Sequence, residues 1–466
     1  MPVFALPALP ALPAHVHFIG IGGIGMSGLA RMLLSMGYRV TGSDAAPSEL
    51  TTQLEAEGII VATGHQDAGL ASRAELVVRS AAVDDRNAEV VAARSRGTTV
   101  IKRAQLLGAV AATRHCIAVA GTHGKSTTSA MLASALIELG FDPSYAVGAV
   151  LQTTQKNAAL GSGEAIVVEA DEYDRSFLAL HPDRAIITNV EYDHPDIFSS
   201  VKDYDQAFVD FASQVAVDGP VIIRGDDPGA MRVMDRFDTS HRSHMRTFGL
   251  AAGLDWVLGR EKDAWLVHAS DGAVIELQVT VPGTHNALNA LAALATMAGM
   301  GIGLEDAVRG VEAYRGIGRR FEVKGKTGGV LVIDDYAHHP TELAATLHAA
   351  ADRFPERRIW AVFQPHTYSR TIALLENFQQ ALQLVPNRVV LDVYGAREQN
   401  DGTLSENDMR NLAGESGYRA GGLLQACDLL AGLVKPDDVV LTLGAGDVTA
   451  LGPMLLDRLN QDQLSS

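Results

Sequence analysis

The stretch Ile117-Ala-Val-Ala-Gly-Thr-His-Gly-Lys-Ser-Thr-Thr128 decides the fold of the middle of this chain. Its apolar run predicts a buried strand over residues 116–120, broken by a glycine-framed turn, with a helix from about Ser126. In that order, the turn's backbone N–H groups and the positive end of the helix converge on an anion, and polyphosphate suits them. Lys125 then reaches the β- and γ-phosphates, and the Ser126 hydroxyl completes a Mg²⁺ shell. The general phosphate-loop pattern places a further glycine where this chain has Val119, so the loop is a shorter form, Gly-Thr-x-Gly-Lys-Ser.

Downstream, Ala165-Ile-Val-Val-Glu-Ala-Asp-Glu-Tyr-Asp174 reads as a buried strand ending in carboxylates. A carboxylate at a strand's carboxyl edge beside a phosphate loop is where a metal is held, which singles out Glu169; Asp174 reads as a solvated loop charge. The next strand, from Arg184, ends in Asn189, Asp193 and His194. At that tip His194 reads equally as a structural histidine and as a metal or phosphate contact.

Upstream, His15-Val-His-Phe-Ile-Gly-Ile-Gly-Gly-Ile-Gly-Met-Ser-Gly28 is a strand, a glycine turn and a helix start, with Gly20, Gly22 and Gly25 forming G-x-G-x-x-G. A second strand ends at Ser43-Asp44, as a dinucleotide fingerprint requires. NAD is the first ligand this suggests, but the turn suits any diphosphate, including that of a UDP-sugar. Strands at residues 59–62, 76–80 and 99–102 complete an open parallel sheet.

Toward the C-terminus, the strand at residues 220–227 and the stretch 256–281 read as peripheral, the latter with a hairpin at Ser270-Asp271-Gly272. An alanine-rich helix opens after Pro282-Gly-Thr-His, with Asn286 and Asn289 on one face of its first turn. These amides either cap the helix or bond a base or ribose. A third unit starts near Gly318-Arg-Arg-Phe-Glu322. Its strands run into Asp334-Asp-Tyr-Ala-His-His-Pro340, Gln364-Pro-His-Thr-Tyr-Ser-Arg370, Tyr394-Gly-Ala-Arg397 and Gly444-Ala-Gly-Asp447. Four strands ending in such loops put a ligand-facing edge on a doubly wound sheet.

A chain of 466 residues exceeds one ordinary core and predicts about three domains. The net charge of −17 leaves no basic surplus for counterion release, which argues against nucleic acid as a partner. Cys116 and Cys427 stand far apart in apolar surroundings and predict reduced core thiols in a cytoplasmic protein. The proline-rich residues 1–14 read as a disordered leader rather than a signal peptide, and no apolar run is long enough to insert in a membrane.

Taken together and in order, these motifs resemble the Mur ligases of peptidoglycan synthesis. The markers are Gly-Ile-Gly-Gly-Ile-Gly-Met-Ser, Gly-Thr-His-Gly-Lys-Ser, Glu-Ala-Asp-Glu, Asp193-His194, Gly-Thr-His-Asn, Gly-Arg-Arg-Phe-Glu, Asp-Asp-Tyr-Ala-His-His-Pro and Gln-Pro-His-Thr-Tyr-Ser-Arg, from about His15 to Leu459. The resemblance implies an α/β fold of three domains. These are a Rossmann-like UDP-binding domain over residues 15–112, a central P-loop-type ATPase domain with a mainly parallel sheet over 113–318, and a Rossmann-like domain over 319–466 that brings the amino acid. It further implies ATP-dependent ligation of L-alanine to the lactyl carboxylate of UDP-N-acetylmuramate through an acyl phosphate, with Mg²⁺ or alternatively Mn²⁺, by a monomer or homodimer.

Residue by residue, the resemblance assigns Gly20, Gly22, Gly23 and Gly25 to the UDP diphosphate, and Ser43, Asp44, His65 and Ser80 to the rest of that nucleotide. Gly121, Thr122, His123, Gly124, Lys125, Ser126 and Thr127 match the ATP phosphate loop; Ser126, Glu169 and His194 match the metal positions. Asn286 and Asn289 fall on the adenine side, Arg320 and Asp335 at the phosphates and ribose, and Tyr336, His366 and Arg370 at the incoming alanine. Lys125, Glu169, His194, Arg320, His366 and Arg370 form the catalytic set. Serine at 126 replaces the family's commoner threonine and keeps the hydroxyl. Three other readings compete: a relative that attaches a murein tripeptide, a nicotinamide-dependent dehydrogenase built on the first glycine turn, and a nucleotide-gated binding protein without ligase chemistry.

Overall fold

The computed structural model describes residues 7–65, 69–216, 218–262, 264–396 and 398–465, with side chains to Gln461. Residues 1–6 of the leader and Arg397 lie outside the described residues. Of the rest of the leader, Leu9 packs against the neighbouring core and the Pro10 carbonyl accepts a 2.9 Å hydrogen bond from the Tyr38 hydroxyl.

The first sheet holds β1 (His15–Ile19), β2 (Arg39–Asp44), β3 (Ile60–Thr63), β4 (Leu76–Arg79) and β5 (Thr99–Lys102), all parallel, in the order β3-β2-β1-β4-β5. The chain winds outward from β1 to β3 and then returns to the other side of β1. The carboxyl ends of β1 and β4 therefore flank a topological switch point, where ligands of open α/β sheets bind.

The second sheet contains β6 (His115–Ala120), β7 (Ser144–Leu151), β8 (Lys156–Ala159), β9 (Ala165–Glu169), β10 (Arg184–Ile187), β11 (Val221–Arg224), β12 (Met245–Gly249), β13 (Trp256–Glu261), β14 (Ala264–His268) and β15 (Val274–Leu277). Its order is β15-β14-β13-β12-β11-β10-β6-β9-β7-β8. From β13 to β7 all neighbours are parallel, and antiparallel strands close both edges. The run Cys116-Ile-Ala-Val-Ala120 is buried throughout because β6 has strands on both sides and cover on both faces. Contrary to the sequence expectation, β11 is interior, paired with β10 and β12. The strands β7, β8 and β12 have no counterpart in the sequence reading. The β14–β15 hairpin forms at Ser270-Asp271-Gly272 as expected.

The third sheet is built from β16 (Glu322–Thr327), β17 (Val330–Asp335), β18 (Ile359–Phe363), β19 (Asn387–Leu391), β20 (Tyr418–Ala420) and β21 (Val439–Leu443), in the order β16-β17-β21-β18-β19-β20. Only β16 is antiparallel to its neighbour. The four expected strands are its four central ones. Cys116 and Cys427 are both buried and free.

By packing the chain falls into two units. One takes Met1–Gln278 with Leu288–Arg315, and so includes the first two sheets; the other takes Val279–Ala287 with Gly316–Ser466. Within the first unit, the Asn157 amide donates to the Ile24 carbonyl at 2.9 Å, which joins the β8 edge to the Ile24–Ser35 helix.

Candidate active site

At the first switch point, Gly20 has φ +80° and Gly22 donates its N–H to Asp44 Oδ2 at 2.7 Å. One oxygen of Asp44 thus closes the turn. A Cβ on Gly22 would lie 2.9 Å from that same oxygen, and one on Gly20 would lie 3.3 Å from Ser80 Oγ, so both positions need glycine for close approach. The helix behind the turn begins after Gly23 with no side-chain cap and no acidic residue in its first turn. The N–H groups of its first two residues, Ile24 and Gly25, suit an anion, while that of Met26 already donates to the Gly23 carbonyl at 3.0 Å.

Beneath this turn lies a polar network. Ser43 Oγ donates to Glu89 Oε1 at 2.7 Å, and His65 Nδ1 is 3.2 Å from the same oxygen. Glu89 Oε2 lies 2.7 Å from His17 Nε2, whose other nitrogen meets Thr41 Oγ1 at 2.7 Å. Burial pushes the Glu89 carboxyl up, but the hydrogen bonds from His17 and Ser43 outweigh it and hold it below the usual range. Ser43 and His65 are therefore brought together by a buried carboxylate that sequence reading missed. On a helix face a glutamate looks solvated; its only visible signal was its place two residues after the helix-capping Asn87.

In the central sheet, β6 lies between β9 and β10, so the phosphate loop emerges between Glu169 and Asn189. Gly121 and Gly124 have φ +139° and +83°. Asn189 ties the loop down, its Oδ1 accepting from His123 N at 2.9 Å and its amide donating to the His123 carbonyl at 2.9 Å. Thr122 Oγ1 donates to the Glu191 carbonyl at 2.8 Å, and His123 Nε2 lies 3.0 Å from Glu191 Oε2. The helix Lys125–Glu138 starts directly after Gly124, with Thr127 buried in its first turn.

Lys125 Nζ donates to the Gly121 and Thr122 carbonyls at 2.6 and 3.0 Å and to Glu172 Oε1 at 3.0 Å. Burial would lower the lysine's pKa; Glu172, Asp171 and Glu169 outweigh it and raise it. Glu172 is held below its ordinary value against burial by Lys125 and His194. Burial and the neighbouring Glu172 push Asp171 up. Thus Glu172, whose acidic cluster sequence reading passed over in favour of Glu169, is the buried partner of the loop lysine. Asp174 is half-exposed but paired, its Oδ2 lying 2.7 Å from Lys102 Nζ.

Ser126 Oγ donates to Glu169 Oε1 at 2.9 Å, and Gly148 N–H fixes Oε2 at 2.6 Å. A hydroxyl and an oriented carboxylate side by side are hard oxygen donors, and they fit Mg²⁺. His194 sits with a different partner: Nε2 is 3.7 Å from Glu172 Oε1 and 3.7 Å from Asp193 Oδ2, at a backbone φ of +55°. Asn289 lies against the loop, since a Cβ on Gly124 would fall 2.6 Å from its Oδ1.

In the second unit, Asn286 Nδ2 donates to the Pro282 carbonyl at 2.7 Å, which ties the start of the Thr284–Gly299 helix to the residues before it. Arg320 Nη1 donates to Glu342 Oε1 at 3.2 Å, and the guanidinium carbon Cζ lies 5.4 Å from the Tyr336 ring centroid. Asp335 accepts the N–H groups of Phe321 and Ala337, both at 2.8 Å; burial still pushes it up to about 6, against the pull of Arg320. His366 stacks on Tyr394 at 5.8 Å, its Nδ1 buried without a hydrogen-bond partner, while Arg370 Nη1 donates to the His366 carbonyl at 3.2 Å. Burial, His338 and Arg370 lower His366 to about 4. Tyr336, His338 and His366 thus line up edge to edge, with centroids 5.2 and 6.1 Å apart.

A short phosphate loop on a parallel sheet, with a hydroxyl–carboxylate pair beside its lysine, defines a nucleotide-using α/β enzyme. The sequence models described as Mur ligase family, catalytic domain, Mur ligase middle domain, and Mur ligase, glutamate ligase domain match residues 15–115, 119–297 and 319–446. The chain belongs to the Mur ligase family and has its three-domain α/β fold. It is 42% identical to a UDP-N-acetylmuramate--L-alanine ligase of Saccharopolyspora erythraea, over 94% of this chain and 91% of the relative. To the enzyme of the same name in Roseiflexus sp. it is 40% identical, over 94% and 97%. The crystal structure of the UDP-N-acetylmuramate-alanine ligase MurC from Thermotoga maritima superposes with a TM-score of 0.80 at 30% identity, covering 97% of this chain and all of that one. A murein peptide ligase from Psychrobacter arcticus gives 0.73 at 25% identity, covering 96% and 99%.

Proposed function

We propose that this chain is the ATP-dependent ligase that joins L-alanine to the lactyl carboxylate of UDP-N-acetylmuramate, making the peptidoglycan precursor UDP-N-acetylmuramoyl-L-alanine, ADP and phosphate. The observation that carries the reading is the Ser126–Glu169 pair beside Lys125, in a chain whose relatives at 38–42% identity over nearly their full length bear that enzyme's name. The lactyl carboxylate attacks the γ-phosphorus, and the resulting acyl phosphate is opened by the amine of L-alanine. Such a transfer depends on positioning and charge neutralisation more than on a strong base. A Mg²⁺ held by Ser126 and Glu169, with His194 as a further candidate, supplies charge neutralisation at the phosphates.

The chain's own residues do the rest. Lys125 exchanges the carboxylate of Glu172 for phosphate oxygens. The turn at residues 20–25, with Ser43, Asp44, His65 and Ser80, takes the UDP moiety. Asn286, Asn289, Arg320 and Asp335 serve the nucleotide, and Arg370 holds the alanine carboxylate by its fork, beside Tyr336 and His366. His194 and His366 are the candidate acceptors of the amine proton. No described helix is long and apolar enough to cross a membrane, which suits work on a water-soluble precursor in the cytoplasm.

The test is phosphate release from ATP. It should require UDP-N-acetylmuramate and L-alanine together; release with ATP alone favours a nucleotide-gated protein. A murein tripeptide that replaces L-alanine with equal efficiency favours the murein peptide ligase reading.

A further inference from the structure

Arg103 is the first residue of the helix Arg103–Ala111, which follows the carboxyl end of β5 in the first sheet. Its side chain leaves that helix start and lies flat against Gly25. A Cβ built on Gly25 would come within 3.3 Å of Arg103 Cδ and Nη1 and 3.6 Å of Cζ. The last glycine of G-x-G-x-x-G thus makes room for a guanidinium. That guanidinium stands in the first turn of a helix whose N-terminus has neither a side-chain cap nor an acidic residue.

A cation beside the positive end of a helix is electrostatically unfavourable unless an anion lies between them. Among the described residues its counter-ion is Asp171, with Nη2 to Oδ2 at 3.8 Å, longer than a hydrogen bond. The Asp171 side chain is itself 42% exposed, so solvent screens the pair. About a quarter to a third of the Arg103 side chain is open to solvent, at 29%. The arrangement has the open N–H groups, the fork of donors and the access that an anion needs, and Arg103 is committed to none of its present partners.

We propose that Arg103 is a substrate-binding residue, which closes over a diphosphate seated on the turn at residues 20–25 and clamps it from the side opposite the helix N-terminus. The proposal rests on the reading that this turn takes the diphosphate of a UDP-sugar. Arginine suits the task because its planar fork meets two phosphate oxygens at once, whereas a lysine offers a point charge. On closing, Arg103 gives up its long pair with Asp171, which adjoins Glu172 and thus Lys125. Seating the diphosphate in this way removes a positive charge from beside the acidic cluster at the phosphate loop.

Calorimetric binding of uridine, UDP and UDP-N-acetylmuramate to the wild type, Arg103→Lys and Arg103→Ala tests this. Arg103→Ala should weaken UDP and UDP-N-acetylmuramate alike, by about 10- to 100-fold, and leave uridine unchanged. Arg103→Lys should fall between. In steady state, the KM for UDP-N-acetylmuramate should rise with those for ATP and L-alanine unmoved, and the salt dependence of UDP binding should be shallower in Arg103→Ala. Weakened UDP-N-acetylmuramate with unaltered UDP would overturn the proposal, placing the guanidinium on the lactyl carboxylate. Unaltered binding of both would overturn it in favour of a packing role. A wild type that binds neither UDP nor UDP-N-acetylmuramate would remove the reading of the turn itself, and the proposal with it.

Discussion

Lys125 Nζ lies 2.8 Å from Oε2 of Glu172 and bonds Oε1 of the same buried carboxylate at 3.0 Å. In the proposed reaction, ATP takes the loop lysine from this internal anion. Replacing Glu172 by Gln leaves the lysine's charge without its partner at a site of low polarity, a loss of about 3–5 kcal/mol. Melting of Glu172→Gln without nucleotide should fall by several degrees, and the rise on adding MgATP should exceed that of the wild type. An equal rise in both would mean that the pair does not compete with nucleotide. The lowered carboxylate contributes stability above its unfolded pKa and loses it as pH falls through its folded value. The raised lysine contributes below its unfolded pKa and loses it as pH rises through its folded value, so the pair acts across neutral pH.

Glu169 and Ser126 should set the metal requirement. Glu169→Gln and Ser126→Ala are expected to shift the Mg²⁺ concentration for half-maximal phosphate release upward, by about tenfold or more for the glutamate. UDP-N-acetylmuramate binding without metal should be unaffected. Unshifted metal titrations in both variants would place the ion elsewhere.

Gly124→Ala combines two faults, a φ of +83° and a Cβ 2.6 Å from Asn289 Oδ1. The backbone alone costs about 1–2 kcal/mol. ATP affinity should fall steeply, and Asn289→Ala in the same chain should recover part of the loss by removing the clash but not the strain. A double variant no better than Gly124→Ala would show that Asn289 does not constrain the loop.

Much of this was legible because glycine-rich turns at strand ends impose backbone demands that leave a fixed pattern. The loops after β1 and β6, the strands around them and the Ser126–Glu169 pairing follow from that pattern. Edge strands were opaque: Glu-Val-Lys-Gly-Lys-Thr in β16 and Lys-Asn-Ala-Ala in β8 carry little apolar alternation, and pairing with a neighbour makes them strands. The buried carboxylates were hidden for a related reason. Glu89 and Glu172 look like surface charge until His17, Ser43 and Lys125, distant in sequence, surround them.

The Glu89 network should show itself at acid pH. Its carboxyl is held low in the fold, so its contribution is present above the unfolded pKa and lost as pH falls through the folded one. Glu89→Gln should unfold more easily at pH 7, with a smaller further loss toward pH 4, and should bind UDP more weakly through misplacement of Ser43 and His65. UDP affinity equal to wild type would confine Glu89 to stability.

His366, lowered to about 4, is neutral through the working range. A histidine so lowered contributes stability above its unfolded pKa, which is lost as pH falls from about 6.5 toward 4. His366→Asn should flatten that part of the acid unfolding curve. An unchanged curve would show that His366 titrates normally.

The strand order of the second sheet also sets a timetable for synthesis. β6 is hydrogen-bonded to β9 and β10, with Cys116 opposite Ile166 and Ile117 opposite Arg184, whereas the first sheet is complete once Lys102 has emerged. On the ribosome the first sheet can therefore close while the phosphate loop still waits for both flanking strands. A nascent chain stalled before Ile187 would hold a finished first sheet and an unformed loop, so nucleotide binding arises late, when its neighbours are already in place.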